Sequence, residues 1–207
     1  MSGLNRIVIL GCPGSGKTSY AKALAKRTGL PIHHLDDAYW GPAWSRPDHE
    51  SWSACLEGLV AQDAWIIDGN YLPTVPLRVQ RADQVIIVET ATVACLWRVL
   101  RRAFGIRAGR YTELPLHVRA QALAGEKVRA TMDIVSLLRL VVRFRHRTWW
   151  QVLDIVRRQG PADIVIAVTP GWYGSRIPGV RRRLARAAVR ANVVPLDRRI
   201  CDGESES

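Results

Sequence analysis

The chain has 207 residues, 48% of them hydrophobic and 23% charged, with a formal net charge of +12. That size and balance fit one α/β domain with its own sizeable core, and they exclude a disordered or fibrous chain. Its four cysteines, at 12, 55, 95 and 201, form no CxxC pair, which argues against a zinc site or disulfide framework and fits a reducing, cytoplasmic setting.

The first predicted element is Arg6-Ile7-Val8-Ile9-Leu10, a short apolar, β-branched run that reads as a buried strand. It enters Gly11-Cys12-Pro13-Gly14-Ser15-Gly16-Lys17-Thr18, which spells G-x-x-x-x-G-K-T. A helix over 19–27, starting at Ser19 and closed by Gly29, follows. Strand, glycine-rich loop and helix together make a phosphate-binding loop. Glycines let the backbone turn sharply and approach phosphates, and the loop N–H groups and helix N-terminus attract anions. Lys17 is placed to reach the β- and γ-phosphates, and the Thr18 hydroxyl to ligate Mg²⁺. Residues 11–19 are therefore expected to hold ATP, with Mg²⁺ as its partner.

Residues 31–37 read as a second strand ending in Asp36 and Asp37, and 39–47 as a loop rich in aromatics, Gly and Pro. A helix over 48–62 carries Trp52, Cys55, Leu56, Leu59 and Val60 at helical spacing, with Asp48 as its cap. A third strand, 65–68, leads into Gly69-Asn70-Tyr71, and a fourth spans 84–89. Then come a helix over 93–104, a basic glycine-containing loop over 105–115 that suits a mobile lid with Arg107 and Arg110, and a mostly helical stretch over 117–159. Breaks in that stretch are expected near Gly125 and His146. A last strand covers 163–168 and a final helix 180–191; the acidic, serine-rich residues 201–207 read as a disordered tail. The expected organisation is one domain over 1–200, with a helical lid insert at about 98–160. Strands alternating with helices imply a parallel sheet covered on both faces. The apolar stretch 134–142 is interrupted by Arg139 and is too short to span a bilayer, and the N-terminus has no signal-peptide profile, so no membrane association is expected.

Five segments carry a family resemblance: GCPGSGKTS at 11–19, LPIHHLDDAYWGPAW at 30–44, WIIDGNY at 65–71, RADQVIIVE at 81–89 and CLWRVLRR at 95–102. With these the chain resembles adenylate-kinase-like P-loop kinases, most closely the bacterial DNA topology modulation protein FlaR-related group. The resemblance covers the first half well and the second half in outline. It implies a three-layer P-loop sandwich with a five-stranded parallel core, a substrate-side insert after strand 2 and an arginine-bearing lid after strand 4. The group's name refers to DNA topology and transfers no substrate.

Ligands of open α/β sheets lie beyond the carboxyl ends of the strands. WIIDGNY looks like the strand-plus-DG segment of adenylate kinases, which makes Asp68 the first candidate for Mg²⁺ and Asp36 the second; Asp36 is also a candidate to face the acceptor. His33, His34, Asp36 and Asp37 alternate along an extended stretch and do not converge on one ion. Trp44 is open between stacking on an acceptor and packing the insert, whereas Trp40 reads as core. Arg46 and Arg78 are candidates for gripping an acceptor anion. Adenylate kinases carry an arginine shortly after their DG pair; here Leu72 follows Tyr71, and Arg78 is the residue positioned to compensate. Arg98 and Arg102 lie one helical turn apart on the face that opens the lid, where they are expected to stabilise the transferring phosphoryl group. Arg143, Arg145 and Arg147 with Trp149 and Trp150, and the row Arg182, Arg186 and Arg190, suit weak, sequence-independent nucleic-acid binding. No base-reading motif accompanies them. Two functions follow: an ATP- and Mg²⁺-dependent phosphotransferase with a small-molecule acceptor, or a nucleotide-responsive nucleic-acid-binding protein with little kinase activity.

Overall fold

A computed structural model describes residues 4–112, 114–126, 134–161, 164–168 and 191–195. Its six-stranded sheet has the order β2-β3-β1-β4-β5-β6 and every pairing is parallel. The strands are β1 (Arg6–Gly11), β2 (Ile32–His34), β3 (Trp65–Asp68), β4 (Gln84–Glu89), β5 (Ile164–Val168) and β6 (Ala191–Pro195). The P-loop NTPase sandwich that the resemblance implies is thus present, with one strand beyond the expected five. Ala191 begins that strand instead of ending a helix, and Pro195 closes it, a residue tolerated where a strand runs along a sheet edge. The rest of the expected final helix, with Arg182, Arg186 and Arg190, and the tail 201–207 lie outside the described residues.

The central strands are buried on both faces because their Ile and Val side chains alternate between two helical layers. Val8, Leu10, Trp65, Ile67, Val85 and Ile87 face one layer, made by α3 (His49–Ala61), α4 (Val75–Arg81) and α8 (Trp149–Gln159). Ile7, Ile9, Ile66, Ile86 and Val88 face α1 (Lys17–Thr28) through Ala21, Leu24 and Ala25. Each fully buried Ile or Leu contributes about 1.5–3 kcal/mol, so this central stack outweighs the surface electrostatics of the fold.

Helix ends follow local chemistry. Asp48 caps α3 by accepting from the Ser51 backbone N–H at 2.8 Å, and Gly29 closes α1 in a left-handed conformation at φ 73°. Cys55, placed on the apolar face by spacing, is exposed; Trp52, Leu56 and Val60 form the buried stripe.

Three stretches differ from expectation. Strand β2 stops at His34, its last partner of Asp68, and Leu35–Tyr39 forms the short helix α2. Asp36 and Asp37 then lie in its first turn, where carboxylates favour the helix dipole. Helix α4 was not foreseen between strands 3 and 4; Pro76 occupies its first turn, a position that proline tolerates. Helix α5 (Thr92–Arg107) runs through Gly105 instead of stopping at Phe104, and the Arg110 backbone N–H returns to the Gly105 carbonyl at 2.8 Å. The expected break around His146 is a π-helical turn, Phe144–Thr148, between α7 (Ile134–Arg143) and α8. The break near Gly125, at φ 83°, follows α6 (Leu116–Leu123). Among the described residues no helix is long and apolar enough to cross a membrane.

Candidate nucleotide and acceptor site

Strand β1 lies between β3 and β4, so its carboxyl end opens into the crevice where the strand order reverses. The phosphate loop leaves β1 there and is held from three sides. Asn70, two residues past β3, accepts from the Gly11 N–H at 3.2 Å and donates to the Gly11 carbonyl at 2.8 Å. Thr90, just past β4, donates to the Ser15 carbonyl at 2.8 Å. From α5, Arg98 Nη1 donates to the carbonyls of Gly14 at 3.2 Å and Ser15 at 3.1 Å. Gly14 has φ 80°, and a Cβ there would lie 2.6 Å from the Cys95 carbonyl oxygen, so only glycine fits between the loop and α5. Gly16, at φ 91°, turns the chain into α1, whose first turn holds no acidic residue. Lys17 and the helix N-terminus therefore bring one sign of charge to the loop.

The metal candidates converge. Thr18 Oγ1 donates to Asp68 Oδ2 at 2.7 Å, and His34 Nδ1 lies 3.2 Å from the same oxygen. Asp68 is 4% exposed, and its other oxygen, Oδ1, is buried without a hydrogen-bond partner. Burial pushes the Asp68 carboxyl up, but the Lys17 charge and the His34 and Thr18 hydrogen bonds outweigh it and hold it below its ordinary value. A buried, ionised carboxylate with an orphan oxygen beside a hydroxyl is a hard-oxygen donor set that fits Mg²⁺. Asp36 is placed differently: it is exposed, and its Oδ1 accepts from the Tyr71 hydroxyl at 2.9 Å. His33 turns to Gln62 at 3.3 Å while His34 turns to Asp68, as strand alternation requires.

Beside this centre lies an aromatic cluster. Tyr39 packs against Trp40, Trp52 and Tyr71, with ring centroids 5.0, 5.0 and 4.7 Å away. Trp44 stands edge-on to Trp40 at 5.4 Å, and both pack against Leu114, Val118 and Ala122 at α6. The Arg46 guanidinium lies 5.2 Å over the Trp40 ring. Polar contacts tie α6 to the same loop: Asp37 accepts from the Leu116 N–H at 2.8 Å and Gln121 from the Ala43 N–H at 2.6 Å.

Arg78 corrects its expected role. It is fully buried, and it donates to the carbonyls of Gly69 at 2.8 Å, Asn70 at 2.7 Å and Thr74 at 3.4 Å. Its fork shapes the turn after β3 and has no open path to an acceptor anion. Replacing it with methionine leaves the closest carbonyls, those of Gly69 and Asn70, buried and unmet, at about 1–3 kcal/mol each. Arg78→Met is expected to lower the melting temperature by roughly 10 °C, measured by calorimetry. An unchanged melting temperature would return this arginine to the list of ligand-binding candidates.

The basic stretch before α8 divides. Arg145 pairs inward with Glu89 at the end of β4 and lies 5.9 Å from the Trp149 ring centroid, whereas Arg143, Arg147 and Trp150 are exposed. Arg102 lies one turn beyond Arg98 on α5 and is half-buried. The sequence pattern gives no role to Asn70, Tyr71 and Thr90, and it sets His34 aside as a strand-end residue, yet all four support the site. All four sit within three residues of a strand's carboxyl end, and that position is the signal that points to them.

No family model matches the chain, and no curated protein sequence matches it. Among solved structures it is similar to shikimate kinase from Bacteroides thetaiotaomicron, at 14% identity and a TM-score of 0.44, over 75% of this chain and 96% of that one. It is also similar to shikimate kinase from Acinetobacter baumannii, solved with shikimate, at 14% identity and a TM-score of 0.39, over 70% and 94% of the two chains. A sugar kinase from Janibacter aligns at 18% identity and a TM-score of 0.37, over 76% and 99%. These likenesses are too distant to speak to function; sheet order and loop geometry carry the fold assignment.

Proposed function

We propose that the protein is a Mg²⁺-dependent phosphotransferase that moves the γ-phosphoryl group of ATP to a small acceptor. The observation that carries this reading is the Thr18–Asp68 pair, with its orphan carboxylate oxygen, beside a complete G-x-x-x-x-G-K-T loop. The loop N–H groups and the α1 N-terminus bind the phosphates, and Lys17 adds a charge at their outer end. Thr18 and Asp68 hold the cation, which when bound neutralises charge on the phosphate oxygens. Arg98 and Arg102 offset the charge that develops during transfer; of the expected insert over about 98–160, α5 to α7 serve as the lid, because α8 packs on the sheet with α3 and α4. Asp36, Trp44 and Arg46 face the acceptor. Positioning and electrostatics suffice, and no covalent intermediate on the protein is needed. The segments WIIDGNY and HHLDDAYW support placing the chain with the adenylate-kinase-like kinases and, among them, with the FlaR-related group.

The test is transfer of label from [γ-³²P]ATP to nucleosides, nucleotides and sugars, with and without duplex DNA. Label on a small acceptor supports the phosphotransferase. ATP turnover that rises only with DNA would replace it with the nucleic-acid-binding reading. Within the phosphotransferase reading, Arg98→Ala and Arg102→Ala are each expected to lower kcat by about 100-fold, with a much smaller change in ATP affinity, because the contact strengthens in the transition state. Wild-type turnover in both would leave Arg98 with its hold on the phosphate loop alone and remove both from the transfer step.

A further inference from the structure

We propose that the acceptor is an alcohol with no phosphate group, presented to Asp36. This rests on the phosphotransferase reading and names the substrate class of the same site.

The charge around the acceptor loops is the first observation. A phosphate monoester needs cations to replace its hydration, usually through bidentate arginine. The turn 69–77 contains no Lys, Arg or His. Arg78, next in line, is fully buried and bound to backbone carbonyls. The stretch 35–48 contains Asp36, Asp37 and Asp48 against a single cation, Arg46, which is exposed and lies over Trp40. A dianion drawn to these two loops would find one exposed cation, Arg46, beside the Asp36 carboxylate, whereas a neutral alcohol meets no such repulsion.

The second observation is the support given to Asp36. Tyr71 holds a φ of 25°, a conformation rare for a residue with a side chain. Its ring is fixed 4.7 Å from Tyr39 and 5.4 Å from Trp52, and its hydroxyl donates to Asp36 Oδ1 at 2.9 Å. Burial foremost, and then the Asp36 charge, push the Tyr71 phenol up, so it remains a protonated donor. A strained tyrosine that grips one oxygen of an exposed carboxylate orients the other.

The transfer balances. The acceptor hydroxyl oxygen forms the bond to the γ-phosphorus, the bond from that phosphorus to the β–γ bridging oxygen breaks, and its electron pair leaves with ADP. The hydroxyl proton passes to Asp36, and the product is a phosphate monoester. Asp36 is the general base, and Tyr71 is a positioning residue.

The test uses the full chain with Mg²⁺ and [γ-³²P]ATP. Water serves as the smallest hydroxyl acceptor, and AMP, GMP, CMP and UMP as phosphate acceptors. Calorimetry of ATP first checks the underlying reading: a wild type that does not bind ATP sinks the phosphotransferase itself. Given ATP binding, no labelled nucleoside diphosphate is expected from any monophosphate. Asp36→Asn should slow transfer to water by about 100-fold, the scale of a general base. Tyr71→Phe, which keeps its ring in the cluster, should lower kcat roughly tenfold with KM for ATP unchanged, a split that a purely structural role would not produce. Labelled diphosphate, undiminished hydrolysis in Asp36→Asn, or wild-type kcat in Tyr71→Phe would each overturn the proposal while the phosphotransferase reading stands.

Discussion

Lys17→Ala is expected to abolish tight ATP binding and leave the fold intact. Lys17 opens α1, and the first turn of that helix holds no acidic residue, so its charge opposes the helix dipole. What offsets this is Asp68, whose carboxyl the Lys17 charge helps hold down. Removing the ammonium gives up one attraction and relieves one repulsion, and the side chain belongs to neither main core cluster. The apo protein should therefore melt within a few degrees of wild type. With ATP the balance changes, because the lysine then meets phosphate charge at the helix N-terminus. A hydrogen bond to a charged group contributes about 1.5–3 kcal/mol, so the loss is about 10- to 150-fold in Kd. Calorimetric titration of ATP decides it, and an affinity equal to wild type would remove the phosphate-loop assignment.

How much of this was legible in the sequence depends on the range of each interaction. Strands β1, β3 and β4 are runs of Ile and Val that local pattern reveals, and Asp48 and Gly29 are caps whose partners lie within four residues. The phosphate loop is likewise local, because its glycines serve backbone angles at their own positions. Arg78 was not legible. Its role depends on the turn after β3 folding back over α4, and a buried arginine spells the same as an exposed one. Asp36 was placed at a strand end because its neighbours read as extended; pairing with β3 stops one residue before Leu35, and two carboxylates then favour a helical turn. The hydrogen bond from Tyr71 to Asp36 joins residues 35 apart in sequence, and only the packing of Tyr39 and Trp52 brings them together. The inward turn of Arg145 to Glu89 spans 56 positions, and nothing separates it in sequence from the outward Arg143 and Arg147.

Asp68→Asn is expected to reduce Mg²⁺-dependent turnover by about 100-fold or more, on the several-kcal/mol scale of a lost metal contact, while Mg²⁺-independent nucleotide binding stays near wild type. An asparagine oxygen can still accept from Thr18, as Asp68 Oδ2 does now at 2.7 Å. The amide nitrogen then occupies the place of the orphan Oδ1 and presents hydrogens where a cation needs a lone pair. Parallel assays of Asp36→Asn separate the two carboxylates. If Asp36→Asn alone loses Mg²⁺ dependence, the metal role passes to Asp36. The same substitution has a signature in stability. The folded Asp68 carboxyl is held below its ordinary value, so its contribution is present at neutral pH and is lost as pH falls through the folded value. The variant lacks that contribution at every pH. The gap in melting temperature between wild type and Asp68→Asn should therefore narrow as the pH is lowered through the acidic range. A gap that widened instead would mean that burial, and not Lys17, His34 and Thr18, sets the protonation of this carboxylate.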